Sequence, residues 1–153
     1  MSVFLTIPRS EWVAENPYAF AIRDRFPVSP GHTLVITRRL VPDWFSATPD
    51  ERTSVLELVD TVKRALDGEL RPDGYNVGFN AGTAAGQTVM HLHVHVIPRF
   101  RGDMDDPRGG VRHVIEPEPQ EAGDRRAGCV QDLFKGRGIL QIADEVPVIR
   151  SAG

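Results

Sequence analysis

The sequence contains one cysteine, Cys129, among 153 residues, and it has no long uninterrupted run of apolar residues. A single cysteine cannot form a disulfide within the chain or supply a thiolate zinc site. The N-terminal stretch lacks a basic segment followed by a long apolar one, so neither a leader nor a membrane span is predicted. A net charge of −3 and a pI near 5.9 argue against a protein that coats nucleic acid. We therefore expect a cytoplasmic protein that does not bind membranes or nucleic acid.

Apolar periodicity and turn residues predict one domain that combines a sheet with a helix. Hydrophobic content of 41% and charged content of 25% are typical of a globular chain. We expect strands at residues 18–24, 32–37, 75–80 and 87–98, and a short helical turn at residues 10–15. Two strands, a helix and two more strands predict an α+β fold with an antiparallel sheet. The domain is expected to span residues 1–115, followed by a charged, proline-containing C-terminal extension at residues 116–153.

The main helix is predicted to begin after Thr48. Thr48 as the N-cap, Pro49 at the first helical position and Glu51 three residues after the cap form a capping-box pattern. Apolar residues then recur at helical spacing, namely Val55, Leu58, Val59, Val62, Ala65 and Leu66. This face is expected to pack on the sheet.

The most informative stretch is residues 87–98, in which His91, His93 and His95 alternate with apolar residues. Side chains of a β-strand alternate between its faces, so the three imidazoles are expected on one face. The opposite face would carry an apolar row that packs on the core, consisting of Met90, Leu92, Val94 and Val96.

Four interpretations of the histidine row are open on the residues alone. The strand could be purely structural, although each buried imidazole would then need hydrogen-bond partners. The row could bind a metal, but no Asp, Glu or Cys stands next to it in the sequence to complete the usual ligand sets. A neutral imidazole could instead attack phosphorus while its neighbours donate hydrogen bonds and a proton. The same residues could also bind a nucleotide without turnover, and spacing alone does not separate these last two.

The pattern His-φ-His-φ-His-φ-φ from His91 to Ile97, with φ apolar, resembles the signature of the histidine triad (HIT) superfamily of nucleotide hydrolases and transferases. The similarity extends, in order and spacing, to residues 20–24, 30–32, 78–80 and 86–89, and it covers about residues 4–115. The resemblance implies an α+β domain with an antiparallel sheet of about five strands, one main helix and a short N-terminal helix. It also implies a homodimer.

The resemblance further implies a role for individual residues. His93 would attack the α-phosphorus and become nucleotidylated, His95 would contact the phosphate and the leaving-group side, and His91 would support the row and help to set the nucleophile's tautomer. His32 matches an upstream histidine near the phosphates, and Asp24 matches a carboxylate that binds the ribose hydroxyls. The polar positions that contact the α-phosphate match Asn80, Gln87 and Thr88. Without the resemblance, Asp24 is equally typical of a strand end, Asn80 of a turn and Thr88 of a strand.

The third histidine favours one branch of the superfamily. The sugar-1-phosphate nucleotidylyltransferases carry glutamine where this chain has His95, so a hydrolase of dinucleoside polyphosphates or nucleoside phosphoramidates is implied. The substrate would be a purine nucleotide. No metal or other cofactor is required by this mechanism, although Mg²⁺ is compatible with a polyphosphate substrate.

Overall fold

The structure, a computed structural model, describes residues 1–108. Its elements in chain order are 3₁₀ turns at Val3–Thr6 and Arg9–Glu11, strands β1 (Trp12–Glu15), β2 (Ala19–Arg23) and β3 (Thr33–Thr37), helix α1 (Pro49–Leu70), strand β4 (Gly74–Gly78), a 3₁₀ turn at Thr83–Ala85 and strand β5 (His93–Arg99). The strands form one antiparallel sheet in the order β1-β2-β3-β5-β4, so the predicted α+β fold with one main helix is confirmed. No helix within residues 1–108 has both the length and the hydropathy that a membrane span requires. The predicted extension at residues 116–153 lies outside the described residues.

The two faces of the sheet have different partners. One face contributes Ala19, Ala21, Val35, Val94 and Val96 to a core with the buried side of α1. On the other face, cross-strand register aligns Phe20 with Ile36 and His93, and it aligns Ile22 with Leu34 and His95. The His93 and His95 side chains therefore stand on the face opposite the helix, beside a smaller apolar cluster.

Helix α1 begins as the sequence predicts. The Glu51 N–H donates to Thr48 Oγ1 at 3.3 Å, and the Thr48 N–H donates to Glu51 Oε2 at 2.9 Å, which completes the capping box. The Glu51 carboxylate also accepts two hydrogen bonds from Arg39, at 2.7 and 2.8 Å. The helix start is thereby tied to the segment after β3. Val55, Leu58, Val62 and Leu66 are buried as expected, whereas Ala65 is exposed.

The prediction of a helical turn at residues 10–15 is wrong for Trp12–Glu15, which form strand β1. The strand pairs with β2 through a bulge between Trp12 and Ala14. The Trp12 ring stacks on Phe20 at 4.2 Å between centroids. Sheet pairing and this ring contact therefore override a local pattern that is compatible with a helix.

The predicted strand at residues 87–98 begins only at His93, so His91 precedes it. The Leu92 N–H donates to the Val41 carbonyl at 2.6 Å, and the Thr37 N–H donates to the Leu92 carbonyl at 3.3 Å. The chain before β5 thus docks on the segment after β3 instead of extending the ladder with β4. Met90 is consequently 44% exposed, and the expected apolar row is limited to the residues that follow it.

Candidate active site

His93 is the first residue of β5, and its side chain is 8% exposed. Its Nδ1 lies 2.7 Å from the backbone carbonyl oxygen of His91. A carbonyl oxygen only accepts hydrogen bonds, so Nδ1 carries a proton and donates it. In the neutral ring the lone pair then lies on Nε2, the nitrogen that can attack an electrophile.

The imidazole of His91 is fully buried and anchored at both nitrogens. Its Nε2 lies 2.7 Å from the Thr37 carbonyl oxygen and 3.1 Å from that of Arg39, and its Nδ1 lies 2.8 Å from Ser2 Oγ. Burial lowers the pKa of His91, and the bonds to the Thr37 and Arg39 carbonyls oppose this only in part. In this geometry His91 contacts His93 through its main chain, and its side chain holds that main chain in place.

His95 belongs to a chain of contacts that leads to Asp24. The His95 Nδ1 lies 3.0 Å from Nε2 of His32, and the His32 Nδ1 lies 3.5 Å from Oδ2 of Asp24. The other oxygen of Asp24 accepts the Phe26 N–H at 2.9 Å. The structure therefore brings three sequence-predicted residues together beside His93, although they are far apart in the chain.

The loop between β2 and β3 brings Asp24 and His32 to the same end of the sheet. The Asp24 N–H donates to the His32 carbonyl at 2.9 Å, and the His32 N–H donates to the Ser29 carbonyl at 3.1 Å. Gly31 has a φ of +81°, and a Cβ there would lie 2.5 Å from Leu70 Cδ1. Only glycine fits this approach of the loop to the end of α1 without strain.

Burial favours the neutral forms of the His95 and His32 imidazoles in the unliganded protein. Burial lowers the pKa of His95 to about 4, and the nearby His93 and His32 lower it further, while Asp24 opposes the shift. Burial also lowers the pKa of His32, again against the effect of Asp24. A phosphate anion bound beside these rings would favour their protonated forms, because its negative charge stabilises the imidazolium cations that burial disfavours.

A cavity of about 390 Å³ lies beside His93 and His95. Most of its wall consists of apolar side chains, namely Val3, Phe4, Ile7, Ile22, Phe26, Leu34 and Val89. Asp24, Arg25 and Thr88 add polar groups to the lining, together with the two imidazoles. A mainly apolar cavity of this size with a few polar groups in its lining is typical of a small-molecule site.

The three residues predicted to contact the α-phosphate occupy different environments. The Gln87 amide is buried: its Oε1 accepts the Gly82 N–H at 2.8 Å, and its Nε2 donates to the carbonyls of Pro42 at 2.5 Å and Val89 at 3.0 Å. These bonds organise the loop before β5. Asn80 donates to the Gly86 carbonyl at 3.4 Å across that loop, and Thr88 lines the cavity. Direct phosphate contact by these side chains stays a prediction.

Sequence reasoning missed the N-terminal contribution to the site. Ser2 reaches the His91 ring, and the Phe4 ring lies 5.1 Å from that of His93 in an edge-to-face arrangement. The apolar residues Val3, Phe4, Leu5 and Ile7 are too few to span a membrane. Such a short run next to a capping serine could have been interpreted as a segment that packs on the domain.

Within residues 1–108, one group of side chains offers possible ligand atoms for a cation close together. Ligand atoms of Asp24, His32 and His95 lie within 4.8 Å of one another. No acidic residue is adjacent to the histidine row in the sequence, yet the fold places Asp24 beside it. Two imidazoles and a carboxylate suit a first-row divalent metal such as Zn²⁺.

Comparison with known proteins gives matches over most of the described residues. The family model of the HIT domain matches residues 8–102. An uncharacterised HIT-like protein of Mycoplasma genitalium is 39% identical over 88 residues, which are 58% of this chain and 62% of that protein. The AP-4-A phosphorylase of Mycobacterium tuberculosis is 37% identical over 92 residues, or 60% of this chain and 47% of the relative. The chain thus spans between about half and three fifths of the length of these two relatives.

Two other matches cover a larger share of this chain. The bis(5'-adenosyl)-triphosphatase of Dictyostelium discoideum is 30% identical over 132 residues, which cover 84% of this chain and 89% of that protein. Among solved structures, a HIT family member from Bacillus subtilis superposes with a TM-score of 0.62 at 32% identity. That superposition covers 67% of this chain and 75% of the other.

Proposed function

Because the chain belongs to the HIT domain family, we propose that it is a nucleotide hydrolase that acts through a nucleotide covalently attached to His93. The bond it cleaves joins a nucleoside α-phosphate to a second phosphate, as in a dinucleoside polyphosphate, or to an amine, as in a phosphoramidate. The hydrogen bond from His93 Nδ1 to the His91 carbonyl carries the proposal, because it leaves the Nε2 lone pair for attack.

The first step exchanges one bond to phosphorus for another. The Nε2 lone pair of His93 forms a P–N bond, and the bond from phosphorus to the leaving oxygen or nitrogen breaks with its electron pair on the leaving group. Water then attacks the same phosphorus, the P–N bond breaks, and Nε2 recovers its lone pair. The products are a nucleoside monophosphate and the leaving group, which has gained the proton that water lost.

We assign the proton transfer in this exchange to His95 and His32. Their contact at 3.0 Å allows a proton on one ring to be shared with the other, and the Asp24 carboxylate lies next to His32. Burial lowers the pKa of both rings, so they start neutral, and the negative charge of bound substrate phosphates would favour their protonated forms, which could pass a proton to a departing group.

The lining of the cavity favours a nucleoside as the part of the substrate that the protein binds during the reaction. Its apolar wall suits a purine ring, and Asp24 at its edge suits the ribose hydroxyls, because a carboxylate accepts hydrogen bonds from two hydroxyls. The two relatives whose names refer to AP-4-A and bis(5'-adenosyl) substrates support a dinucleoside polyphosphate. Mg²⁺ is not required by the proposed mechanism, and where it is present with a polyphosphate it would enter as part of the substrate. A homodimer and a cytoplasmic location stay predictions.

A non-catalytic nucleotide-binding module is the second candidate, because Thr88, Asp24 and the cavity they line would serve binding equally well. A kcat/KM panel over dinucleoside polyphosphates, adenosine phosphoramidates and other nucleotide conjugates, run beside equilibrium binding of the same compounds, tests the proposal. We expect one substrate class to be turned over with a clear preference. Tight binding of every compound without any product would contradict hydrolysis and favour the binding module.

A further inference from the structure

Two N-terminal side chains contact the histidine row from about 90 residues away in the chain. Ser2 is 7% exposed, and its Oγ lies 2.8 Å from Nδ1 of His91. Phe4 is 8% exposed, and its ring lies 5.1 Å from that of His93 and 5.9 Å from that of His91. Met1, by contrast, is fully exposed. The turn Val3–Thr6 and its cap Ser2 are thus held against the histidine row by specific contacts.

The hydrogen bonds of His91 determine which of its nitrogens carries a proton. Both partners of Nε2 are carbonyl oxygens, of Thr37 and Arg39, so Nε2 must donate. In the neutral ring Nδ1 is then an acceptor, and among residues 1–108 its hydrogen-bond partner is the Ser2 hydroxyl. Ser2 therefore donates to Nδ1, and all hydrogen-bonding atoms of this buried ring are satisfied.

We infer that Ser2 is a positioning residue for the proposed reaction at His93, and this inference rests on the function proposed above. The Thr37 and Arg39 carbonyls fix the tautomer of the His91 ring, and the Ser2 hydroxyl holds that ring in one orientation. His91 precedes β5, so its carbonyl is oriented by the anchored ring and by local loop bonds. That carbonyl accepts the Nδ1 proton of His93 and so determines that Nε2 is the nucleophilic nitrogen.

The same hydroxyl also shapes the turn that places Phe4 against His93. Ser2 Oγ accepts the Phe4 N–H at 3.3 Å as the N-cap of the 3₁₀ turn Val3–Thr6. The edge-to-face contact between Phe4 and His93 restricts rotation of the nucleophile's ring. Ser2 thus acts on His93 by two routes, one through His91 and one through Phe4.

The test compares Ser2→Ala with Ser2→Thr, which keeps a hydroxyl, and with Thr6→Ala as the matched control. Thr6 lies in the same turn, where its exposed hydroxyl donates to the Val3 carbonyl at 2.8 Å, and it does not contact the histidines. The protein is prepared without an N-terminal tag. Imidazole ¹⁵N chemical shifts report the tautomers of His91 and His93, and steady-state kinetics on the preferred substrate report kcat and KM separately.

For Ser2→Ala we expect a smaller Nδ1–H population on His93 and a decrease in kcat of about tenfold with KM little changed, since one orienting hydrogen bond is lost. Thr6→Ala should match the wild type in both readouts, and Ser2→Thr should keep the wild-type tautomers. If Ser2→Ala does not fold, Ser2→Cys carries the same test, because a thiol is a weaker donor.

Unchanged tautomers and an unchanged kcat in Ser2→Ala would overturn the inference. Equal losses in Ser2→Ala and Thr6→Ala would also overturn it, since the turn as a whole and not the hydroxyl would then matter. Failure of the proposed function gives a different result, because a wild-type protein without turnover would still show whether the His91 and His93 tautomers depend on Ser2. In that case the ¹⁵N arm alone decides whether Ser2 positions the rings.

Discussion

Nδ1 of His93 lies 2.7 Å from the backbone carbonyl oxygen of His91, so the first histidine of the row supports the second through its main chain. The His91 imidazole contacts Ser2 and the end of β3 instead. Its role and that of His93 can therefore be separated by substitution, because replacing the His91 side chain leaves the carbonyl in the protein.

His91→Ala is expected to lower the free energy of unfolding by about 3 kcal/mol, since it opens a buried cavity and leaves the Thr37 and Arg39 carbonyls without their donor. Chemical denaturation measures this loss. At low temperature, where the variant stays folded, it should still form the nucleotide adduct, but more slowly than wild type. A variant as stable as wild type would contradict this assignment of the His91 ring.

The lowered pKa of His95 predicts a loss of stability in mild acid. With a pKa of about 4 in the folded protein and near 6.5 in the unfolded chain, the unfolded state binds more protons between these values. The contribution of His95 to the free energy of unfolding is therefore fully present above pH 6.5 and is lost as the pH falls toward 4. The shift corresponds to at most about 3 kcal/mol. Denaturation of wild type and His95→Gln at several pH values isolates this contribution, and parallel pH profiles would refute it.

Gln87→Ala is expected to destabilise the loop before β5, because three backbone groups lose a buried partner. Each unsatisfied group costs about 1–3 kcal/mol, so a decrease of a few kcal/mol in unfolding free energy is predicted. Thr88→Ala is the control, since Thr88 is exposed and lines the cavity. If Gln87 acts mainly by contacting phosphate, its replacement will instead raise KM and leave the melting temperature unchanged.

Removal of metal ions should leave nucleotide transfer to His93 intact, since the proposed attack uses only imidazole nitrogens. The measurement is adduct formation after dialysis against a chelator, with metal content determined in parallel. Added Zn²⁺ is expected to compete with substrate, because a metal held by Asp24, His32 and His95 would occupy the groups that serve the ribose and the proton. Loss of adduct on chelation, restored by one equivalent of Zn²⁺, would show instead that the metal is part of the mechanism.

Much of the fold could be predicted from the sequence because its signals are local. The capping box of Thr48 and Glu51 and the apolar repeat of α1 depend on neighbouring residues alone. Strand β1 could not be predicted in this way, since Trp12 becomes part of a strand through its pairing with β2 and its contact with Phe20.

The candidate site likewise combines features that local sequence patterns predict with features that depend on residues distant in the chain. The alternation of His93 and His95 with Val94 and Val96 correctly placed the imidazoles opposite the core. The early end of that alternation, before His93, results from hydrogen bonds with the distant segment after β3. The contact of Ser2 with His91 spans 89 residues, and no periodicity in the sequence indicates it.

The covalent intermediate on His93 is the central claim, and acid-quenched mass spectrometry during the first turnovers tests it most directly. With a hydrolysable dinucleoside polyphosphate or phosphoramidate, we predict one nucleoside monophosphate attached to the peptide that contains His93. The adduct and the turnover should both be absent in His93→Ala. Full turnover by His93→Ala, or turnover by wild type without any adduct on this peptide, would contradict the proposed mechanism.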